Sequence, residues 1–289
     1  MRIGLIGIGN MGFGMAARLR ALDWPVAVHD IDPAAVLAAT ALGATPCANA
    51  VELASCCDCV IVVVVDAAQV AAVLFGTDGV LAAQPLPQAV MLCPTIAPQD
   101  TERCAARLAE RGVACIDAPV SGGPARAHDG SVSLMVACEN TLFERHQGLF
   151  DALSSRVFCI SEKVGDGART KLVNNLLAGI NLAGAAEVLA LAERMGLDLV
   201  GTLEVIEQSS GQSWIGSDRM RRALAGDLAP RAHTSLLSKD TRLAVEMARG
   251  SGFDVPLGAE AAAAFARACE AGAAALDDAS LLQLLRHAP

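Results

Sequence analysis

The feature that most constrains this chain lies within its first nineteen residues. An apolar run, Arg2–Ile6, leads into Gly7-Ile8-Gly9-Asn10-Met11-Gly12 and then into the helix-forming Met15-Ala16-Ala17-Arg18-Leu19. Three glycines at this spacing mean little alone, but between a strand and a helix they predict a phosphate-cradling turn. Gly7 permits the tight turn, Gly9 lets the backbone approach a pyrophosphate, and Gly12 lets the helix pack close to the strand. The pyrophosphate would lie at the helix N-terminus, where unpaired N–H groups point outward. The next apolar run, Val26–His29, ends at Asp30, 18 residues beyond Gly12. That is close to the ~20 expected for a carboxylate that binds the adenosine ribose. Ile31-Asp32-Pro33-Ala34-Ala35 offers no Arg or Lys to receive a 2′-phosphate, so NAD is expected rather than NADP.

Further strands are expected at Val60–Val65, Val90–Cys93 and Val113–Asp117, with alanine- and leucine-rich helical stretches between most of them. Such alternation predicts a parallel sheet with crossover helices, a doubly wound Rossmann-type α/β domain. Ser131–Cys138 and Arg156–Ile160 read as two more strands. After Gly165-Asp166-Gly167 the strand signal stops, and Ala168 to Met195 is continuously helical up to Gly196. The reading is therefore a cofactor domain over 1–163 and an all-helical domain over 164–289, for substrate and oligomerisation.

Composition narrows the function class. The 289 residues are 53% hydrophobic and 18% charged, with a mean hydropathy of +0.44, which excludes a disordered or low-complexity chain. A net charge of −9 argues against a nucleic-acid partner, which needs a basic face. The apolar run Val60–Val65 is only strand-length, and the alanine-rich 176–192 stretch contains Asn181 and Glu187, so no membrane span is expected. Met1-Arg2 runs straight into a strand, unlike a secretory leader. The ten cysteines, including Cys56-Cys57-Asp58-Cys59, lack zinc-ligand spacing. Cys93, Cys115, Cys138 and Cys159 fall in apolar strand-like segments, so all are expected to act as small hydrophobes in a reducing, cytoplasmic setting, with no metal site.

Asp117-Ala118-Pro119-Val120-Ser121-Gly122-Gly123-Pro124 follows an apolar strand, at the end where ligands bind in an open α/β sheet. A hydroxyl at Ser121 and the bare amides of Gly122 and Gly123 suit a carboxylate, although a tight turn alone could produce this pattern. The lysines are more telling. The chain has three, Lys163, Lys171 and Lys239, against nineteen arginines. Where arginine serves for generic positive charge, a lysine is expected where a proton must leave near neutral pH. Asn174 and Asn175, three and four residues after Lys171, put at least one amide on its face. Apolar neighbours Leu172, Val173, Leu176 and Leu177 speak against a solvated surface lysine, and burial would disfavour the ammonium form.

Together these motifs resemble the β-hydroxyacid dehydrogenase family, which includes the 3-hydroxyisobutyrate and tartronate semialdehyde enzymes. The resemblance rests on Gly7–Gly12, Asp117–Gly123, Gly165-Asp166-Gly167-Ala168-Arg169-Thr170-Lys171-Leu172-Val173-Asn174-Asn175 and Lys239-Asp240, in that order along nearly the whole chain. It implies Lys171 as the catalytic lysine supported by Asn175. Ser121, Gly122 and Gly123 would hold the substrate carboxylate, with Lys171 and Asn175 touching substrate as well. Gly7, Gly9, Asn10, Met11, Gly12, Asp30, Thr95 and Lys239 would serve the cofactor, with Lys239 closing the site. Within the family, Asp66–Gly76 and Ser209-Ser210-Gly211-Gln212-Ser213-Trp214 are most similar to the branch that oxidises L-threonate at C2. Gln212, Cys93-Pro94-Thr95 and Ser238 depart from the usual pattern. The expected partners are a small hydroxy acid and further copies of the chain, as a homodimer or homotetramer. Two other readings are weighed. Imine-reducing relatives usually carry Asp or Tyr at the Lys171 position, and this chain has no tyrosine. A non-catalytic NAD-binding protein would have no use for the lysine and asparagines.

Overall fold

The computed structural model describes residues 1–286. It divides into two compact units, Met1–Lys171 and the chain from Leu172 onward.

The first unit is built on nine strands, β1 (Ile3–Ile6), β2 (Val26–His29), β3 (Thr45–Pro46), β4 (Cys59–Val62), β5 (Ala89–Leu92), β6 (Ala114–Asp117), β7 (Val120–Ser121), β8 (Ser133–Ala137) and β9 (Arg156–Ser161). Their order is β3-β2-β1-β4-β5-β6-β8-β7, with β9 on β8. The first six run parallel, β8 is antiparallel to β6 and β7, and β9 is parallel to β8. The expected doubly wound sheet is present, with two reversed strands, β8 and β9, at its far side. The order reverses between β1 and β4, the switch point at which such sheets bind ligands.

Alternation along the strands separates two apolar layers. Ile3, Leu5, Cys59, Ile61 and Met91 pack with Met15, Leu19 and Phe150 on one face. Ile6, Val60, Val62, Val90 and Leu92 pack with Leu53, Val70, Leu74 and Leu108 on the other. A sheet buried on both sides needs such continuous apolar strands. The covering helices are α1 (Asn10–Ala21), α2 (Pro33–Ala41), α3 (Ala50–Ser55), α4 (Ala67–Phe75), α5 (Pro98–Ala109), α6 (Gly123–Asp129) and α7 (Asn140–Leu153).

Helix α8 (Asp166–Arg194) begins in the first unit and continues into the second. The second unit adds α9 (Leu199–Glu207), α10 (Trp214–Leu224), α11 (Thr234–Gly250), α12 (Pro256–Ala268) and α13 (Leu281–Arg286) around a core of Leu182, Leu189, Leu203, Met220 and Phe265. Among the described residues α8 is the one helix long and apolar enough to cross a bilayer by length and composition. One of its faces feeds the core, while Val173, Leu177, Val188, Leu191 and Met195 form an exposed apolar stripe.

Candidate active site

The loop between β1 and α1 has the geometry its glycines predict. Gly7 sits at φ +88°, and a Cβ there would come within 2.6 Å of the Val63 carbonyl oxygen. A Cβ at Gly12 would come within 2.0 Å of the Gly7 carbonyl oxygen, so the first turn of α1 closes directly on the loop. A Cβ at Gly9 would meet nothing within 4 Å. The loop is tight on the protein side and open on the other, which fits a dinucleotide pyrophosphate against the α1 N-terminus. Asn10 and Met11 form the first turn of α1, with Met11 packed partly into the core.

Asp30 stands where the spacing places it, just past β2. Its Oδ2 accepts the Ile8 N–H at 2.6 Å and its Oδ1 accepts the Asp32 N–H at 2.8 Å. The carboxylate therefore shapes the Gly7–Gly12 loop, and each oxygen keeps a second lone pair to accept a further donor. Ile31 is 95% exposed beside it. Thr95 follows β5 and Ser121 follows β6. Since β1, β2, β5 and β6 are parallel, the Gly7–Gly12 loop, Asp30, Thr95 and Ser121 share the carboxyl-end rim of one sheet.

Gly122 and Gly123 lie at φ +132° and +80°, so two successive left-handed residues turn the chain from β7 into α6. A β-carbon would be strained at either position. Helix α6 packs closely on α1, because a Cβ on Gly14 would come within 2.9 Å of the Ala127 Cβ. The Gly7–Gly12 loop and the Ser121–Gly123 loop are thus coupled through two touching helices, and the sequence signal for this contact is a further small residue, Gly14, two residues past the glycine motif.

Lys171 is buried, 7% exposed, and so is Asn175 one helical turn later, at 9%. Asn174 is exposed and donates its amide N–H to Asn175 Oδ1 at 3.0 Å. The amide that shares the lysine's buried face is thus Asn175. Val173 and Leu177, expected to help bury the lysine, face outward. Within the second unit, Asn175 Nδ2 donates to Asp240 Oδ2 at 2.6 Å, and Lys239 Nζ lies 2.9 Å from Asp240 Oδ1. Lys239-Asp240 is more than a surface ion pair, because the carboxylate is buried and orients Asn175.

The first turn of α8 is tied down from several sides. Buried Asp117 accepts the N–H groups of Gly165 and Ala168. Arg169 bridges Glu102 at 2.6 Å and Asp166 at 3.0 Å. The sequence alone gives Asp117 no role, because its amide partners lie 48 and 51 residues away.

The cysteines behave mostly as expected. Burial pushes the Cys47 and Cys59 thiols up to about 12 and Cys57 higher still, which makes them poor thiolates. Cys159, expected inside a buried strand, is exposed on β9.

The NAD binding domain of 6-phosphogluconate dehydrogenase matches residues 2–161. The family described as "NAD-binding of NADP-dependent 3-hydroxyisobutyrate dehydrogenase" matches residues 165–285. The chain is 36% identical to the L-threonate dehydrogenase of Cupriavidus necator over 282 residues, 98% of this chain and 95% of that protein. It is 33% identical to the 3-hydroxyisobutyrate dehydrogenase of Pseudomonas aeruginosa over 293 residues, 98% of each. Its structure matches a crystal structure of a Salmonella typhimurium protein described as 3-hydroxyisobutyrate dehydrogenase with a TM-score of 0.91 at 34% identity, covering 98% of this chain and 99% of that one. With two family matches meeting between the sheet and the long helix, and full-length relatives that act on hydroxy acids, the chain belongs to the 3-hydroxyisobutyrate dehydrogenase-like family of nicotinamide-dinucleotide oxidoreductases.

Proposed function

We propose that this protein is an NAD-dependent dehydrogenase of L-threonate or a related small sugar acid, with Lys171 as general acid and base. The observation that carries this reading is the burial of Lys171 on a helix whose first turn is bonded to β6, the strand leading to the Ser121–Gly123 loop. Bound NAD would supply the hydride acceptor, and the neutral Lys171 amine would take the proton of the substrate hydroxyl as its carbinol carbon is oxidised to a carbonyl. In reduction the lysine ammonium returns that proton to the carbonyl oxygen. Ser121 and the amides of Gly122 and Gly123 hold the substrate carboxylate. Asn175, its amide fixed by Asp240 and Asn174, holds a substrate oxygen near the lysine. Gly7, Gly9, Asn10, Met11 and Gly12 take the pyrophosphate, Asp30 the ribose, and Thr95 and Lys239 complete the cofactor contacts.

Preference for NAD over NADP is supported by Asp30, whose charge repels a 2′-phosphate. Threonate is supported by the Cupriavidus necator relative and by the segments 66–76 and 209–214. A second reading, 3-hydroxyisobutyrate or tartronate semialdehyde as substrate, is favoured by the Pseudomonas aeruginosa relative. The exposed α8 stripe supports a homodimer or homotetramer, since a contiguous apolar face of this kind marks an interaction surface. Its ten thiols suit the reducing cytoplasm. Measuring NAD reduction with threonate, 3-hydroxyisobutyrate and glycerate tests the reading. Threonate should give the highest kcat/KM, and turnover of none of them would overturn it.

A further inference from the structure

Asp117 is a buried charge for which the proposed chemistry has no use. It is 1% exposed, at the end of β6 and four residues before Ser121. Its Oδ2 accepts the Gly165 N–H at 2.8 Å and the Ala168 N–H at 3.1 Å. A Cβ on Gly167 would come within 2.9 Å of the Asp117 Cγ, so the carboxylate is seated against the backbone of the helix start. Ala168 lies three residues before Lys171. Asp166, the nearest competitor for these amides, instead accepts from Ser161 Oγ at 2.8 Å and from Arg169 at 3.0 Å.

A carboxylate held by backbone amides is an expensive way to fill space in a core. Burial pushes its proton affinity up to about 6, against the amide bonds that pull it down. The return on that cost is a fixed helix N-terminus, where a negative charge also meets the positive end of the α8 dipole.

We propose that Asp117 is a positioning residue, a single buried carboxylate that locks the first turn of α8 to the end of β6 and so sets Lys171 against the Ser121–Gly123 loop. This rests on the reading of Lys171 as the acid–base group. Displacement of a reacting group by about 1 Å can cost on the order of 10²-fold in rate, and an untied helix end allows such a displacement.

The test is a double-mutant cycle on kcat for the hydroxy acid, with NAD affinity measured alongside. Asp117→Leu removes both acceptor oxygens at similar volume, whereas Asp117→Asn still presents one oxygen to Gly165 and Ala168. Asp117→Leu should lower kcat about tenfold in the wild-type background, leave the NAD Kd within about twofold, and have almost no effect once Lys171→Ala is present. Equal losses in both backgrounds, or a parallel loss of NAD affinity, would mean that Asp117 only supports the fold and would overturn the proposal. Gly167→Ala would put a Cβ within 2.9 Å of the same carboxylate's Cγ, displacing the helix start from it, and should reproduce the cycle, which keeps the test decisive if Asp117→Leu does not fold. Near wild-type kcat in Lys171→Ala alone would instead remove the reading on which the proposal stands, and that single variant shows it without reference to Asp117.

Discussion

Asn175 donates its side-chain N–H to the buried carboxylate of Asp240 at 2.6 Å, a bond that joins α8 to α11 across 65 residues of sequence. With Asn174 on its oxygen, the Asn175 amide has both ends committed and one orientation. Asp240→Ala would leave a buried amide without its acceptor and would remove the carboxylate beside Lys239, at a cost of roughly 1–3 kcal/mol. The variant should unfold at lower denaturant and lose kcat, whereas Asp240→Asn, which can still accept from Asn175, should lose less of both. Equal damage from the two would show that charge at Asp240, rather than the amide's orientation, is what matters.

Cofactor choice is a separate prediction. Asp30 accepts two loop amides and stands beside exposed Ile31. Asp30→Ser with Ile31→Arg removes the repulsion of a 2′-phosphate and adds a bidentate donor for it. The ratio of kcat/KM for NAD over NADP, high in the wild type, should fall toward or below one. Some loss of stability should accompany the change, because the Ile8 amide loses its acceptor. Wild-type enzyme that used NADP more efficiently would contradict the role given to Asp30.

Local signals were the legible ones. The Gly7–Gly12 loop and Asp30 are read within thirty residues, because turn chemistry and strand spacing fix them without tertiary information. The apolar runs located most strands to within a few residues, although Val63–Val65 leave the sheet after β4. Two two-residue strands carry no strand signal of their own: Thr45–Pro46 contains a proline, and Val120–Ser121 merges with the Ser121–Gly123 loop. The reversed direction of β8 follows a connection of left-handed Gly122, Gly123 and Gly130 around the short helix α6, which strand periodicity does not register. Spacing alone also left Asn174 and Asn175 equivalent. Helix phase against a folded partner decides between them, and that partner, Asp240, is remote in sequence. Asp117 was illegible for the same reason, since its partners lie 48 and 51 residues away.

Stability should depend on pH through Asp117. Its carboxyl titrates at about 6 in the folded chain against an ordinary 3.8, so between those values the folded state holds more of the proton. The group's contribution is therefore fully present below about pH 4 and is lost as pH rises through about 6. Among its neighbours Asp166 raises it further, while the thiols of Cys93, Cys115 and Cys138 are held protonated by burial. A shift of this size corresponds to about 3 kcal/mol. Asp117→Asn does not titrate, so its stability relative to wild type should improve by up to about that much from pH 4 to pH 7.5. Denaturant midpoints of the two proteins across that range measure it, and a constant difference would show that the carboxyl is not perturbed.

The exposed stripe of Val173, Leu177, Val188, Leu191 and Met195 predicts self-association. Light scattering should show a dimer or tetramer at micromolar concentration, and Leu177→Glu with Leu191→Glu should shift it toward monomer. A wild-type monomer under those conditions would contradict the assembly.

The central claim is that Lys171 carries the proton. Lys171→Ala should lower kcat by a factor on the order of 10² or more with NAD affinity nearly intact, because the lysine acts in proton transfer. Ser121→Ala should mainly raise KM for the hydroxy acid, whose carboxylate stays charged from ground state to transition state. The most direct measurement is kcat of Lys171→Arg for hydroxy-acid oxidation. Guanidinium has similar reach but keeps its proton throughout the accessible pH range, so this variant should fail almost as badly as Lys171→Ala. Near wild-type turnover by Lys171→Arg would contradict the account and place the proton acceptor elsewhere in the site.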